Sequence, residues 1–165
     1  MVNIKRPTII IDKQICLSNI NKMASKAKKS DVIFRPHFKT HQSPEVGEWF
    51  RQFGIDKICV SSVEMGILFA KHGWDNISIA FPFNPLQIVE INQLARGIKL
   101  QLLVESIEIL NFLEKNLECK AGIFIEIDTG YHRSGVSFDE KERLDSMIHV
   151  LDKSRLKTVL HHLVE

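Results

Sequence analysis

Short apolar runs alternate with amphipathic stretches along the whole of this chain. Residues 8–11 form a β-branched run, and a helical pattern follows from about 13 to 29 with Asp12 as N-cap. Residues 32–40 read as a strand. Ser43 and Pro44 then open a helix, Ser as N-cap and Pro in the first turn, which Gly54 closes. Residues 57–61 are the next strand. Ser61 and Glu64 have the spacing of a capping box, and the helix they open ends at Gly73. The pattern repeats with strands over 77–83, 99–104 and 121–128. Asn84-Pro85, Ser106 and a second capping box, Ser137 with Glu140, open helices that stop near Gly97, Leu117 and Lys153. A last strand covers 156–162.

The first strand ends are spaced by about 22 residues, the length of a βα unit with short loops. Capping signals recur just after strand C-termini, which makes the sheet parallel. Several strands are apolar on both faces, as buried parallel strands are. A doubly wound sheet of five or six strands would be complete at 165 residues. A (β/α)8 barrel would be incomplete, since it needs about 250 residues. Periodicity alone does not separate the two. Charged positions on strand faces favour the barrel: Arg35, His37 and Lys39 on one strand, and Glu126 and Asp128 on another. No linker or low-complexity segment interrupts the rhythm, so residues 1–165 read as one domain.

Composition adds exclusions. With 44% hydrophobic residues the chain can build a sizeable core; its net charge is only +2, and its basic residues are interspersed with acidic ones. Neither nucleic-acid nor membrane binding is expected. The basic run Lys26-Ala27-Lys28-Lys29 ends a helix, where it complements the helix dipole. No segment reaches the ~18 apolar residues of a membrane span, and no signal-peptide core is found. Cys16, Cys59 and Cys119 have no zinc or CxxC spacing. They read as free buried thiols in a reducing compartment, so the expected location is cytoplasmic.

The candidate chemistry lies in Arg35-Pro36-His37-Phe38-Lys39-Thr40-His41. Read as a strand, it places Arg35, His37, Lys39 and His41 on one face. Neighbouring cations and burial would both disfavour a protonated amine at Lys39. An amine so tuned condenses with aldehydes, which makes Lys39 the candidate nucleophile. His37 and His41 would tune it and order water. The Trp49/Phe50/Phe53 and Ile67/Leu68 groups read as helical core.

That segment, continued by Gln42-Ser43-Pro44-Glu45, resembles the Arg-Pro-His-x-Lys-Thr-His segment of D-threonine aldolases and eukaryotic-type D-serine dehydratases. These are pyridoxal-phosphate enzymes of the alanine racemase fold class. Ile58-Cys59-Val60-Ser61-Ser62-Val63-Glu64 is similar to the family's second barrel strand and turn. The run from Glu126 to Val136 resembles its Asp-x-Gly-x-x-Arg-x-Gly loop, and Thr8-Ile9-Ile10-Ile11-Asp12 resembles its opening. The resemblance spans nearly the whole chain.

The resemblance implies an incomplete (β/α)8-type barrel of about six strands plus an opening strand within 1–12. That strand normally pairs with a C-terminal β-domain. It implies a lyase acting on a small D-amino acid, with pyridoxal 5'-phosphate as cofactor. Lys39 would be the Schiff-base lysine, and Arg133 would stand near the cofactor's phenolic oxygen or the substrate carboxylate. His37, His41 and, stacked on the pyridine ring, His162 would complete the cofactor set. The relatives' phosphate-gripping loops, and the divalent metal with its ligands, would lie outside these residues. A homodimer, or association through exposed barrel edges, is the expected assembly. The alternatives are a racemase of the same fold class, a non-catalytic cofactor-binding remnant, and an unrelated α/β protein using the Arg35/His37/Lys39 face for phosphate.

Overall fold

The computed structural model describes residues 4–154 and 156–158, the last two by their backbone alone. Six helices alternate with the strands of a parallel sheet. The helices are α1 (Lys13–Lys29), α2 (Pro44–Arg51), α3 (Val63–Lys71), α4 (Ile88–Gly97), α5 (Ile107–Asn116) and α6 (Lys141–Lys153). The sheet takes β1 (Ile58–Val60), β2 (Asn76–Pro82), β3 (Lys99–Val104), β4 (Gly122–Ile125) and β7 (Lys157–Thr158) in that order, all parallel. A short pair, β5 (Ile127–Asp128) and β6 (Val136–Ser137), lies beyond β4. His37 bridges Cys59 in parallel, so the chain before Lys39 lies along the β1 edge as one further sheet position.

Local chemistry sets most boundaries. Asp12 Oδ1 accepts from the Gln14 and Ile15 amides at 2.9 and 3.0 Å and starts α1. Ser43 Oγ accepts from Val46 N at 3.2 Å, and Ser106 Oγ from Ile109 N at 3.3 Å. Two capping expectations need correction. Ser62, not Ser61, caps α3, because the chain stays extended through Ser62 and its Oγ reaches Met65 N at 3.2 Å. Ser137 does not cap α6. It belongs to β6 opposite Asp128, and α6 starts four residues later, where Glu140 pairs with Arg143 at 3.1 Å.

One sheet face is apolar and buried under helices. Ile58, Ile77 and Leu100 stand in one register row, and Val60, Ile79, Leu102 and Ile123 in the next. They pack against Val63 and Phe69 of α3, Ile91 and Leu94 of α4, Leu110 and Leu113 of α5, and Met147 and Leu151 of α6. Each such side chain contributes ~1.5–3 kcal/mol by leaving water. The opposite face carries the row His37, Cys59, Ser78, Gln101 and Gly122. A polar row on a sheet face is what a barrel interior tolerates and an open, doubly covered sheet does not. The expectation of a partial barrel therefore holds.

Two expected strands differ. Residues 8–11 pair with nothing among the described residues, and Ile9 is 90% exposed. β-branched propensity without a neighbouring strand to bond does not make a strand. The run over 32–40 keeps only the His37 bridge and then tightens into a 3₁₀ turn, Phe38–Thr40. The cause is Phe38, whose ring is fully buried with its centroid 4.9 Å from Phe69 and 5.1 Å from both Phe50 and Trp74. Gly47 makes room for it, since a Cβ there would lie 3.1 Å from Phe38 Cε2. Cys16, Cys59 and Cys119 are free, and half-buried rather than buried.

Candidate functional site at the C-terminal rim of the sheet

Because every strand is parallel, the residues following each strand gather on one rim. Lys39 follows the edge segment, Ser61 follows β1, Phe83 β2, Glu105 β3 and Glu126 β4. A cavity of about 320 Å³ opens there, lined by Ala80, Phe81, Leu103, Glu105, Glu126, Asp128, Tyr131 and Arg133 among others.

The 3₁₀ turn breaks the expected alternation, so the four cationic or imidazole side chains do not form one face. Arg35 stays on the polar sheet face with His37 but reaches the N-terminal ends of β1 and β2, away from the rim. Its Nη2 donates to Asn76 Oδ1 at 2.9 Å, and its Nη1 to Ile58 O at 3.1 Å. Gln101 and Ser78 extend this network, with Ser78 Oγ donating to Gln101 Oε1 at 2.8 Å. Burial pulls the Arg35 guanidinium below its usual value, against the opposing influence of Cys59 and Asp56. Burial likewise raises the Cys59 thiol.

His37 shapes the turn, its Nδ1 accepting from Lys39 N at 3.2 Å. His41 belongs to the aromatic cluster, 4.5 Å from Phe38 and stacked at 6.0 Å on Phe50. Its Nδ1 accepts from Ser43 N at 3.1 Å, so the ring also fixes the entry to α2. Burial holds the His41 imidazole below its usual value, against the opposing influence of the Ser43 backbone bond, and so favours its neutral form. Lys39 itself is exposed, so the burial expected of it is not found. Burial of Phe38 fixes the backbone of the turn and leaves the Lys39 side chain exposed.

Arg133 sits in the loop between β5 and β6, exposed, with its guanidinium 5.1 Å from the Tyr131 ring centroid. This loop is closely pinned. Asp128 Oδ1 accepts from Gly130 N at 2.9 Å and His132 N at 3.0 Å, while Oδ2 meets His132 Nδ1 at 2.9 Å. The His132 amide first, then that of Gly130, lower the Asp128 carboxyl to about 2. Ser134 Oγ donates to Glu126 Oε1 at 2.7 Å, and Gly135 N to Glu105 Oε2 at 3.0 Å. Gly135 is required as glycine: φ is +94°, and a Cβ would lie 2.9 Å from Asp128 N.

Lys39 and Arg133 therefore share a rim, but Lys39 does not line the cavity. Four strand steps separate them, on the order of 19 Å along the sheet at ~4.8 Å per step. In a closed ring of eight strands, the first and fifth face each other across the mouth. His162 lies outside the described residues. Glu105 is a rim residue that sequence reasoning missed. A single acidic residue after a strand has no spacing signature. Among the described residues no group of three or more His, Cys, Asp or Glu is arranged to hold a metal. No described helix is long and apolar enough to cross a membrane.

The rim's charged groups divide the expected cofactor into two ends. An exposed lysine amine fits an aldehyde, and a guanidinium fits a phenolate or carboxylate. Glu105, Glu126 and Asp128 in the cavity wall repel a phosphate, so the residues described here do not fit that end.

Comparison with known proteins identifies the family and the fold. The family model described as alanine racemase, N-terminal domain, matches residues 11–165. A D-serine dehydratase of Dictyostelium discoideum is 30% identical over 148 residues, covering 81% of this chain and 37% of the relative. A D-threonine aldolase of Arthrobacter sp is 28% identical over 144 residues, 84% of this chain and 38% of the relative. The solved D-threo-3-hydroxyaspartate dehydratase of Delftia sp. HT23 superposes with a TM-score of 0.80 at 28% identity, over 92% of this chain and 42% of that one. The chain thus spans well under half the length of these relatives.

Proposed function

The chain belongs to the alanine racemase N-terminal domain family, and from that membership we propose that it is the barrel portion of a pyridoxal-phosphate-dependent lyase for a small D-amino acid, of the D-threonine aldolase or D-serine dehydratase type. When bound, the cofactor acts as an electron sink as a bond at the substrate's Cα breaks. Lys39 holds the cofactor's aldehyde end. Arg133 faces it across the mouth and offers paired N–H donors to a developing or resident negative charge. His37 sets the turn that presents Lys39. His41 stays neutral and braces that turn from behind, rather than meeting the cofactor. In the same reading His162, which lies outside the described residues, would belong to the cofactor set, the opening strand would join a C-terminal β-domain, and a divalent metal would be held by residues beyond these. The whole protein acts in the cytoplasm as a homodimer, or as chains joined through open sheet edges.

The observation that carries the reading is the parallel register. It brings the Lys39 turn and the Arg133 loop to one rim, on strands that oppose each other in a closed ring. The dehydratase and aldolase names of the relatives favour a lyase over a racemase. The turning of Arg35 into the Asn76 network removes the cationic face on which an unrelated phosphate-binding role would depend.

The test is a titration of the pure chain with pyridoxal phosphate, followed by visible absorbance. Weak binding that Lys39→Ala abolishes is expected, since no phosphate grip lies among the described rim residues. Binding indifferent to Lys39→Ala would count against the proposal, whereas tight stoichiometric binding that Lys39→Ala abolishes would overturn only the expectation that the phosphate grip lies elsewhere.

A further inference from the structure

We propose that Glu105 is a positioning residue for Arg133, tying the Arg133 loop to a neighbouring strand. The loop between β5 and β6 has no regular structure, and three carboxylates hold it. Asp128 holds the Gly130 and His132 amides, and Glu126 holds Ser134. Both belong to the segment from which the loop springs, which is anchored to β3 at its base by Glu126 N donating to Val104 O at 2.9 Å, and they fix the loop's shape from within that segment. Glu105 differs, because it follows β3. Its Oε2 accepts from Gly135 N at 3.0 Å, across a sequence separation of thirty residues. Its own backbone carbonyl accepts from Arg143 Nη2 at 3.0 Å, and Arg143 is braced by Glu140 at 3.1 Å. One residue therefore joins β3, the loop and the start of α6.

A carboxylate accepting from a backbone amide is among the stronger hydrogen bonds. The amide it takes lies two residues from Arg133, at a glycine whose Cβ-less approach to Asp128 N leaves the loop no slack. Small misplacements of such a group cost rate or affinity steeply. The link from Glu105 to the loop stands on geometry alone. What the loop then does for a cofactor rests on the function proposed above.

Two readouts separate these layers. Amide hydrogen exchange on the full chain reports the link. In Glu105→Ala the Gly135 amide should exchange at least ~10-fold faster, the effect of losing a charge-assisted bond. Glu105→Gln keeps an acceptor oxygen and should stay within a few-fold of the parent. Pyridoxal phosphate affinity reports the consequence. Glu105→Ala and Arg133→Ala should each weaken it, and the double variant should be no weaker than Arg133→Ala, because both act through one guanidinium. Unchanged Gly135 exchange in Glu105→Ala, or losses that multiply in the double variant, would overturn the positioning role. If Arg133→Ala alone left affinity unchanged, the cofactor role of Arg133 would fall, and Gly135 exchange would still decide the link.

Discussion

Gly135→Ala is the sharpest perturbation of the rim. At φ +94° an L-residue is strained, costing ~1–3 kcal/mol. The added methyl would also stand 2.9 Å from Asp128 N, 3.1 Å from Glu126 Cγ and 3.1 Å from Glu126 O. Two of those atoms are backbone, and the Glu126 carbonyl is held by Val136 N at 2.9 Å. Relief therefore means breaking that bond or the one from Gly135 N to Glu105, a further ~1–1.5 kcal/mol. The sum is about 3 kcal/mol, a large share of the ~5–15 kcal/mol of a typical domain. Gly130→Ala is the control: φ is +122° but nothing lies within 4 Å of its Cβ, so it should cost only the backbone term. Equilibrium urea unfolding compares the two. At ~1–3 kcal/mol per molar urea, the extra ~1–1.5 kcal/mol should make the Gly135 variant unfold about 0.3–1.5 M earlier than the Gly130 variant. Equal midpoints would show that the loop is not pressed against residues 126–128.

Three further outcomes follow from the packing and titration described above. Phe38→Ala should cost ~3–5 kcal/mol in urea unfolding, since it empties a fully buried aromatic site; a loss under 1 kcal/mol would deny that Phe38 anchors the Lys39 turn. His41 is held below its usual 6.5 by burial, so the unfolded chain takes up its proton first and stability should fall as pH drops below about 6.5. In His41→Phe that part of the fall should vanish from urea midpoints taken at pH 8 and pH 5, and an unaltered pH dependence would refute it. Asp128, lowered to about 2, contributes stability that is present above its usual 3.8 and lost as pH falls toward 2. The midpoint gap between the parent chain and Asp128→Asn should accordingly be open at pH 7 and narrow between pH 4 and 2; a gap independent of pH would disprove the ionic pinning.

Much of the fold was legible because its signals are local. Asp12, Ser43 and Ser106 announce helix starts through bonds to amides two or three residues away, and their positions were read correctly. The βα rhythm and the strand-face charges suggested a partial barrel before any packing was known. What escaped depends on distant partners. Phe38 leaves the strand for a pocket made by Phe50, Phe69 and Trp74, and no alternation within residues 32–40 contains that pocket. Arg35 left the lysine's neighbourhood for Asn76, forty-one residues on. Ser61 and Ser62 offer the same hydroxyl, and only the extended backbone at Ser62 decides between them. Glu105 is invisible without the loop it holds.

In the proposed function Lys39, among all the lysines of this chain, captures the cofactor aldehyde. Borohydride reduction of the chain with pyridoxal phosphate, followed by peptide mass mapping, tests it directly. A pyridoxyl mass concentrated on Lys39 and lost in Lys39→Ala is expected. A label spread over the surface lysines in proportion to their exposure, with Lys39 no richer than Lys28 or Lys120, would contradict it.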